Sequence, residues 1–185
     1  MNTVEFKAWP KIARLNRGMV ITEKIDGTNA AIIVTDDLQV GAQSRNRLIT
    51  PEDDNFGFAT WVAQHGESLA ALLGPGRHFG EWWGSGIQRG YGLIKGEKRF
   101  SLFNVGRYAD VDTTEVPGLG LVPVLYEGEF RTDIVNNVIA IQRFDGSAAA
   151  PGFMSPEGVV VFHVASQTAF KVTAENDESP KGRVA

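Results

Sequence analysis

Short alternations of apolar and polar residues run along most of this chain and predict a domain built largely of β-strands. The segments are rich in β-branched or aromatic residues and are bounded by turn residues. The seven predicted strands are MVITE, TNAAIIV, LQVGAQS, FSLFNVG, LVPVLY, GVVVFHVA and AFKVT. Most of the sheet is expected to be antiparallel. The first two strands predict a β-hairpin, because Asp26-Gly27 supplies the positive φ values of a tight turn.

Two segments carry helical signals instead. In the first, Thr50 is a predicted N-cap, Pro51 suits the first turn, and Gly74 ends the helix. Gly57 and Gly66 predict interruptions within it.

The second predicted helix is RTDIVNNVIAIQRF, in which Thr132 is the cap and Ile134, Val138 and Ile141 share one face. The next stretch, residues 144 to 158, is rich in glycine, alanine, serine and proline and predicts a flexible connection within one domain. The polar tail from about residue 174 is expected to fray. Residues 1–185 therefore predict a single domain.

The composition excludes several classes of protein. A chain without cysteine forms neither disulfides nor thiolate metal sites. No signal-peptide pattern and no apolar run near the roughly 20 residues of a membrane span are present, so we expect a soluble, cytoplasmic protein. The net charge is −4, yet residues 77–107 hold six basic residues against two acidic ones. That segment is either a local anion-binding face or a solvated basic loop.

Lys24 is the residue that the hairpin pattern does not explain. It opens Lys24-Ile25-Asp26-Gly27, a K-x-D-G sequence, and five further short motifs follow in order: SRN at 44–46, FGEWWG at 79–84, SLFNVG at 101–106, EGVVVFH from 157 and AFKVT around 171. Together they resemble motifs I, Ia, III, IIIa, IV and V of the covalent nucleotidyltransferases, the polynucleotide ligases and mRNA capping enzymes. Asn29 stands where DNA ligases and capping enzymes typically carry arginine, which makes the chain similar to the RNA ligase 2 family.

The resemblance covers about residues 21 to 173 and implies both a fold and an activity. The implied fold is α+β, an ATP-grasp-like nucleotidyltransferase core of antiparallel β-sheets with flanking helices and the nucleotide between the sheets. The implied enzyme is an ATP-dependent RNA ligase that forms a lysyl-AMP intermediate, uses Mg²⁺ or Mn²⁺, and seals 5′-phosphate and 3′-hydroxyl RNA ends in RNA repair. Its expected partners are RNA ends or a nicked duplex, bound by a monomer with an accessory nucleic-acid-binding partner and without a membrane.

The resemblance also implies roles for individual residues. Lys24 is the nucleophile, and because only a neutral amine attacks, Lys171 and a metal ion are the implied charges that favour this form and neutralise the α-phosphate. Glu157 is the first choice of metal ligand, while Glu81 holds the ribose or shares the metal. The implied nucleotide-binding residues are Glu23, Lys24, Asp26, Gly27, Asn29, Arg45, Glu81, Phe103, Glu157 and Lys171.

The aromatic residues leave alternatives open. Phe103 is implied to stack on adenine, but Phe100 competes with it, and a phenylalanine in an alternating strand is core by default. Trp82 and Trp83 cannot both face inward on one strand, so one is either exposed for base stacking or packed against the second helix. The glycine-rich segment GSGIQRGYGLIKG lacks the P-loop lysine pattern and predicts a mobile loop whose basic residues meet an RNA backbone.

Two departures from the family pattern keep other functions open. Thr173 replaces the second lysine of motif V, and the chain ends at residue 185 without the C-terminal domain of many relatives. Both favour a catalytically weak module that binds a nucleotide or an RNA end. A DNA ligase-type adenylyltransferase is the other alternative.

Overall fold

The computed structural model describes residues 4–175 and 177, and these form two β-sheets flanked by helices. A four-stranded antiparallel sheet has the spatial order β10 (Thr168–Thr173), β9 (Gly158–His163), β1 (Gly18–Lys24) and β8 (Val124–Glu129). A six-stranded sheet has the order β4 (Leu48–Ile49), β3 (Val40–Ser44), β2 (Thr28–Val34), β5 (Gly76–Gly84), β6 (Lys98–Leu102) and β7 (Leu119–Leu121). The predicted α+β class and the predominance of antiparallel pairing are confirmed; β6 and β7 pair in parallel.

The predicted hairpin is wrong. β1 pairs with β8 and β9, whereas β2 pairs with β3 and β5, so the two strands belong to different sheets. Asp26-Gly27 is therefore a crossover between sheets, and Gly27 does not adopt a positive φ. Alternation along a sequence reports which face of a strand is buried, but it carries no information about the partner strand.

The first helix begins later than predicted. Residues 50–53 form a turn, α1 (Phe58–Gln64) starts after Gly57, and α2 (Gly66–Leu73) follows it. The Asp54 carboxylate accepts the backbone N–H groups of Ala59 and Thr60 at 2.8 and 2.9 Å, which satisfies donors of the first turn. The predicted interruption at Gly66 and the end at Gly74 are confirmed.

The second helix, α3 (Thr132–Asp145), lies where it was predicted but buries a different stripe. Val135, Val138, Ile139 and Gln142 face the four-stranded sheet, while Ile141 is exposed. Of the three residues predicted to share one face, Ile134, Val138 and Ile141, only Val138 is fully buried.

Three hydrophobic clusters hold these layers together. One lies between the six-stranded sheet and helices α1 and α2, and a second lies between the four-stranded sheet and α3. The third contains Ile25 and Val122, which lie in the two connections that pass from one sheet to the other, together with Trp83, Tyr91 and Ala150. This third cluster joins the sheets directly beneath the K-x-D-G turn.

Strand β5 was absent from the predicted strands because its sequence GRHFGEWWG is rich in glycine and charged residues. It is nevertheless nine residues long and central in its sheet. Trp82 packs among Phe58 and Trp61 of α1, and Trp83 packs in the third cluster. Both tryptophans are buried because both faces of β5 are covered at its C-terminal end. Both predicted alternatives, exposure for base stacking and packing against the second helix, are therefore wrong.

Candidate active site

Lys24 is the last residue of β1, and its side chain lies on the face of the four-stranded sheet opposite α3. Met19 and Ile21 alternate with it and pack in the α3 cluster. Register places Lys24 opposite Gly158, and Gly158 opposite Thr173. The three residues form one row across the sheet, with no side chain at its centre.

Glu157 meets Lys24 directly. Nζ of Lys24 donates to Oε2 of Glu157 at 2.5 Å, and Glu157 is 4% exposed whereas 23% of the Lys24 side chain is exposed. The pair joins the end of β1 to the start of β9. The lysine head group is thereby held against the Glu157 carboxylate rather than extended into solvent.

Glu81 approaches the same turn from the other sheet. Register places it opposite Asn29, and its Oε2 accepts the Asn29 side-chain amide at 2.7 Å while Oε1 accepts the Gly27 N–H at 3.0 Å. Burial raises the pKa of Glu81 to about 7, and the neighbouring charge of Glu157 acts in the same direction, against the two hydrogen bonds and Lys24. Glu81 therefore changes charge near neutral pH.

A glycine is required at position 27 because the turn passes very close to β5. A Cβ at this position would lie 2.4 Å from the carbonyl oxygen of Trp82 and 2.8 Å from Cβ of Trp83. The absence of a side chain lets the turn descend onto β5, so its N–H reaches Glu81.

Asp26 and Glu23 make contacts that hold the surrounding loops. The Asp26 carboxylate accepts Nε of Arg89 at 3.1 Å, and its N–H donates to the Tyr91 hydroxyl oxygen at 2.9 Å. Glu23 is buried on the α3 side of β1, where it accepts the Ser147 hydroxyl at 2.6 Å and the Ala149 N–H at 2.9 Å. Glu23 thus fastens the predicted flexible connection beneath the site.

The remaining predicted residues surround this cluster without bonding to it within residues 4–175 and 177. Lys171 is exposed on the same face of the four-stranded sheet as Lys24. It lies opposite Val160, two residues before Thr173 on β10. Arg45 is exposed in the turn after β3, beside the end of β2 that carries Asn29. Phe103 follows β6 and is 41% exposed.

The structure separates the two competing phenylalanines. Phe100 is fully buried against α1, whereas Phe103 is accessible to a ligand. Sequence reasoning missed Phe79, which is 51% exposed and lies on the same face of β5 as Glu81. Its carbonyl oxygen accepts the Phe103 N–H at 3.0 Å, so the two aromatic residues are neighbours. Its position two residues before Glu81 on a strand was the available signal.

The basic segment 77–107 is partly neutralised. Arg89 pairs with Asp26, and Arg99 pairs with Glu97 at 2.6 Å. Arg77 and Arg107 lie together, since the Arg107 guanidinium donates to the Arg77 carbonyl oxygen at 3.3 Å. Neither of these two forms an ion pair within the described part of the chain.

The donor set fits a hard divalent cation. Glu81 and Glu157 are close enough to interact electrostatically with each other, and both carboxylates lie near Lys24. Mg²⁺ and Mn²⁺ need few protein ligands when they retain waters. No group of three or more His, Cys, Asp or Glu side chains gathers within residues 4–175 and 177. The two carboxylates therefore suit a partly hydrated ion.

Comparison with known proteins identifies the family. The family model described as RNA ligase matches residues 17–173. This chain belongs to the RNA ligase family. No curated protein matches it.

Solved structures of an RNA ligase from Naegleria gruberi share the fold. A variant described with AMP and Mn is 21% identical, with a TM-score of 0.64 over 86% of this chain and 50% of that one. The form described with PPi is 19% identical, with a TM-score of 0.63 over 84% and 49%. An apo variant is 22% identical, with a TM-score of 0.64 over 91% and 53%. The chain thus spans about half the length of these ligases, and the predicted nucleotidyltransferase core is confirmed as its fold.

No helix in the described residues is both long enough and apolar enough to span a membrane.

Proposed function

We propose that this chain is the core of an ATP-dependent RNA ligase whose nucleophile is Lys24. The observation that carries the proposal is the meeting of Lys24, Glu157 and Glu81 at a turn between two sheets. An RNA ligase from the same fold is described with ATP and Mn, and the family model spans the motifs that supply these residues.

In the first step, Nζ of Lys24 attacks the α-phosphorus of ATP and loses a proton. The bond from the α-phosphorus to the bridging oxygen breaks, and pyrophosphate leaves. Lys171 lies on the same face of the sheet as Lys24, so its charge is available to the phosphate oxygens. A divalent cation held by Glu157, with Glu81, would supply positive charge at the phosphates and release the Lys24 amine from its ion pair.

In the later steps, AMP moves from the lysine to an RNA end. An oxygen of the RNA 5′-phosphate attacks the α-phosphorus, and the phosphorus–nitrogen bond breaks. The 3′-hydroxyl of the second end then attacks the 5′-phosphorus, AMP leaves, and a phosphodiester forms. In this proposal Glu81 binds the ribose or shares the metal, Asn29 contacts the nucleotide, Phe103 stacks on adenine, and Arg45 binds the nucleotide or the RNA end.

Intact mass after incubation with ATP and Mg²⁺ tests the first step. The wild type should gain about 329 Da, the mass of one AMP, and Lys24→Ala should gain nothing. No gain in wild-type protein stripped with pyrophosphate would contradict the proposal. Sealing of nicked duplexes with RNA or DNA on each side of the nick tests the substrate, and better sealing of all-DNA duplexes would favour a DNA ligase.

A nucleotide- or RNA-end-binding module is the second candidate. Thr173 in the row of Lys24 leaves that row with one cation, and its hydroxyl donates to the Glu175 carbonyl oxygen at 2.9 Å. Binding of ATP and RNA without any AMP transfer would support this candidate.

The proposal extends to the setting of the reaction. We expect a cytoplasmic monomer in which residues 1–185 act as one adenylyltransferase domain in RNA repair. An accessory nucleic-acid-binding partner is part of this proposal. Arg77 and Arg107 provide an anion-binding surface for RNA beside the exposed Phe79.

A further inference from the structure

The loop between β5 and β6, residues 85–97, is tightly wound against the candidate site. Gly86, Gly90, Gly92 and Gly96 have positive φ angles, and so do Gln88, Tyr91 and Lys95. Tyr91 has a φ of 51° although it carries a large side chain, and it is buried. A strained conformation of this kind persists where the surrounding contacts fix it, and such positions cluster at functional sites.

Contacts of this loop reach the turn that follows Lys24. The Tyr91 hydroxyl oxygen accepts the Asp26 N–H at 2.9 Å, and Nε of Arg89 donates to the Asp26 carboxylate at 3.1 Å. Ile25 is buried in the same cluster as Tyr91 and Trp83. The backbone and carboxylate of Asp26 and the side chain of Ile25 are therefore all held by the 85–97 loop and by β5, the strand before it.

The same two residues also reach the segment that carries Glu157. A terminal nitrogen of Arg89 donates to the Ser155 carbonyl oxygen at 2.8 Å. The backbone of Glu157 also lies near the Tyr91 hydroxyl oxygen, so that this oxygen stands between the two segments. The Tyr91 ring packs on Phe153, with centroids 4.6 Å apart.

We infer that Arg89 and Tyr91 are positioning residues that fix Lys24 relative to Glu157. Arg89 bonds to both segments, and Tyr91 bonds to the first and packs on Phe153 of the second, so each sets the distance between the nucleophile and the carboxylate without touching substrate. Lys24 lies two residues before Asp26, and the oxygen of Tyr91 lies between the backbones of Asp26 and Glu157. This inference rests on the proposed function, because it deepens the account of the Lys24 reaction.

Tyr91→Phe is the decisive variant, because it removes one oxygen atom, leaves the Asp26 N–H without its acceptor and takes away the polar atom beside the Glu157 backbone. We expect the rate of lysyl-AMP formation at saturating ATP to fall at least tenfold. The ATP concentration for half-maximal rate should change less than twofold, because the oxygen does not face the nucleotide. Arg89→Gln should likewise lower the rate at saturating ATP while it leaves the half-saturating ATP concentration nearly unchanged. Arg89→Lys should recover part of the rate.

Tyr108→Phe is the matched control. Tyr108 is also buried, and its hydroxyl bonds to His78 at 2.9 Å on the opposite face of the six-stranded sheet. It should lose a comparable amount of thermal stability and retain its rate within twofold. Equal rates for the two variants, or a loss in Tyr91→Phe that appears only as weaker ATP binding, would overturn the inference.

Amide hydrogen exchange separates this inference from the proposed function. In Tyr91→Phe, the Asp26 and Glu157 amides should exchange at least tenfold faster than in the wild type, while amides in the centre of β2 remain unchanged. This readout requires no ATP and no turnover. Unchanged exchange at both amides would overturn the inference even if the wild type forms lysyl-AMP, and absent lysyl-AMP with faster exchange would contradict only the proposed reaction.

Discussion

Thr173 faces Lys24 across Gly158 in a single row of the four-stranded sheet, on the side away from α3. Two strand spacings, about 10 Å, separate the Cα atoms of the two residues. A long side chain at position 173 would therefore extend over the same face of the sheet as Lys24. The family's second motif V lysine would stand at this position.

Thr173→Lys should accelerate lysyl-AMP formation. The added charge should raise the rate about fivefold, corresponding to roughly 1 kcal/mol, the interaction of unit charges at about 4 Å in water-like surroundings. Single-turnover adenylylation at saturating ATP and Mg²⁺ measures the effect. Thr168→Lys is the control, since it adds the same charge to β10 on the α3 face. A rate unaffected by Thr173→Lys would show that one lysine suffices.

Gly27→Ala should lower the unfolding free energy far more than Gly41→Ala does. A Cβ on Gly27 would collide with Trp82 and Trp83, whereas a Cβ on Gly41 meets nothing within 4 Å. Overpacking should cost Gly27→Ala about 1–3 kcal/mol or more of unfolding free energy. Gly41→Ala should stay within about 0.5 kcal/mol. Urea unfolding of both variants gives the comparison, and similar losses would mean that the turn relaxes away from β5.

Glu81 should make stability depend on pH in metal-free protein. Burial raises the pKa of Glu81 from 4.5 to about 7, so the folded state binds a proton more tightly than the unfolded chain. The contribution of this protonation to the unfolding free energy is fully present below pH 4.5 and is lost as the pH rises through 7. The full linkage is on the order of 3 kcal/mol.

Glu81→Gln removes the titrating group while it retains one carbonyl acceptor. Its unfolding free energy should vary less than that of the wild type between pH 5 and pH 8, measured in EDTA. Exposed Glu52 offers a control through Glu52→Gln, which should follow the wild-type curve. Parallel curves for wild type and Glu81→Gln would refute the titration of Glu81 in this range.

Phe103→Ala should weaken ATP binding more than Phe79→Ala does. Both aromatic side chains are exposed and adjacent, and the family resemblance assigns adenine to Phe103. Loss of a stacking partner is worth about 1–3 kcal/mol, so the half-saturating ATP concentration should rise about fivefold or more. Both variants should keep the wild-type melting temperature within a few degrees. A larger effect of Phe79→Ala would transfer the stacking role to Phe79.

The sequence revealed the site more fully than the layout of its strands. Lys24, Glu81 and Glu157 are separated by tens of residues in the chain, yet motif order was enough to group them, and the structure brings them together. The pairing of β1 and β2 was wrong because Asp-Gly fits a hairpin turn as well as a crossover. The burial of both Trp82 and Trp83 depends on α1 and on the third cluster, which no local pattern along β5 encodes.

Arg89 and Tyr91 illustrate the same limit. A glycine-rich, basic segment is typical of a mobile loop, and nothing in its composition indicates that one arginine and one tyrosine bond to residues more than sixty positions away. Such contacts follow from tertiary packing alone.

The crossover at Asp26-Gly27 places Lys24 beside the joint between the two sheets. Lys24 and Glu157 belong to the four-stranded sheet and its connections. Asn29 and Glu81 belong to the six-stranded sheet. Arg89 bonds from the β5–β6 loop of the six-stranded sheet to the segment before Glu157, Tyr91 packs on Phe153 of that segment, and the third cluster fills the space between the sheets, so the joint is held in one geometry. A substitution in the six-stranded half of the molecule can therefore alter the Lys24–Glu157 pair without touching either residue.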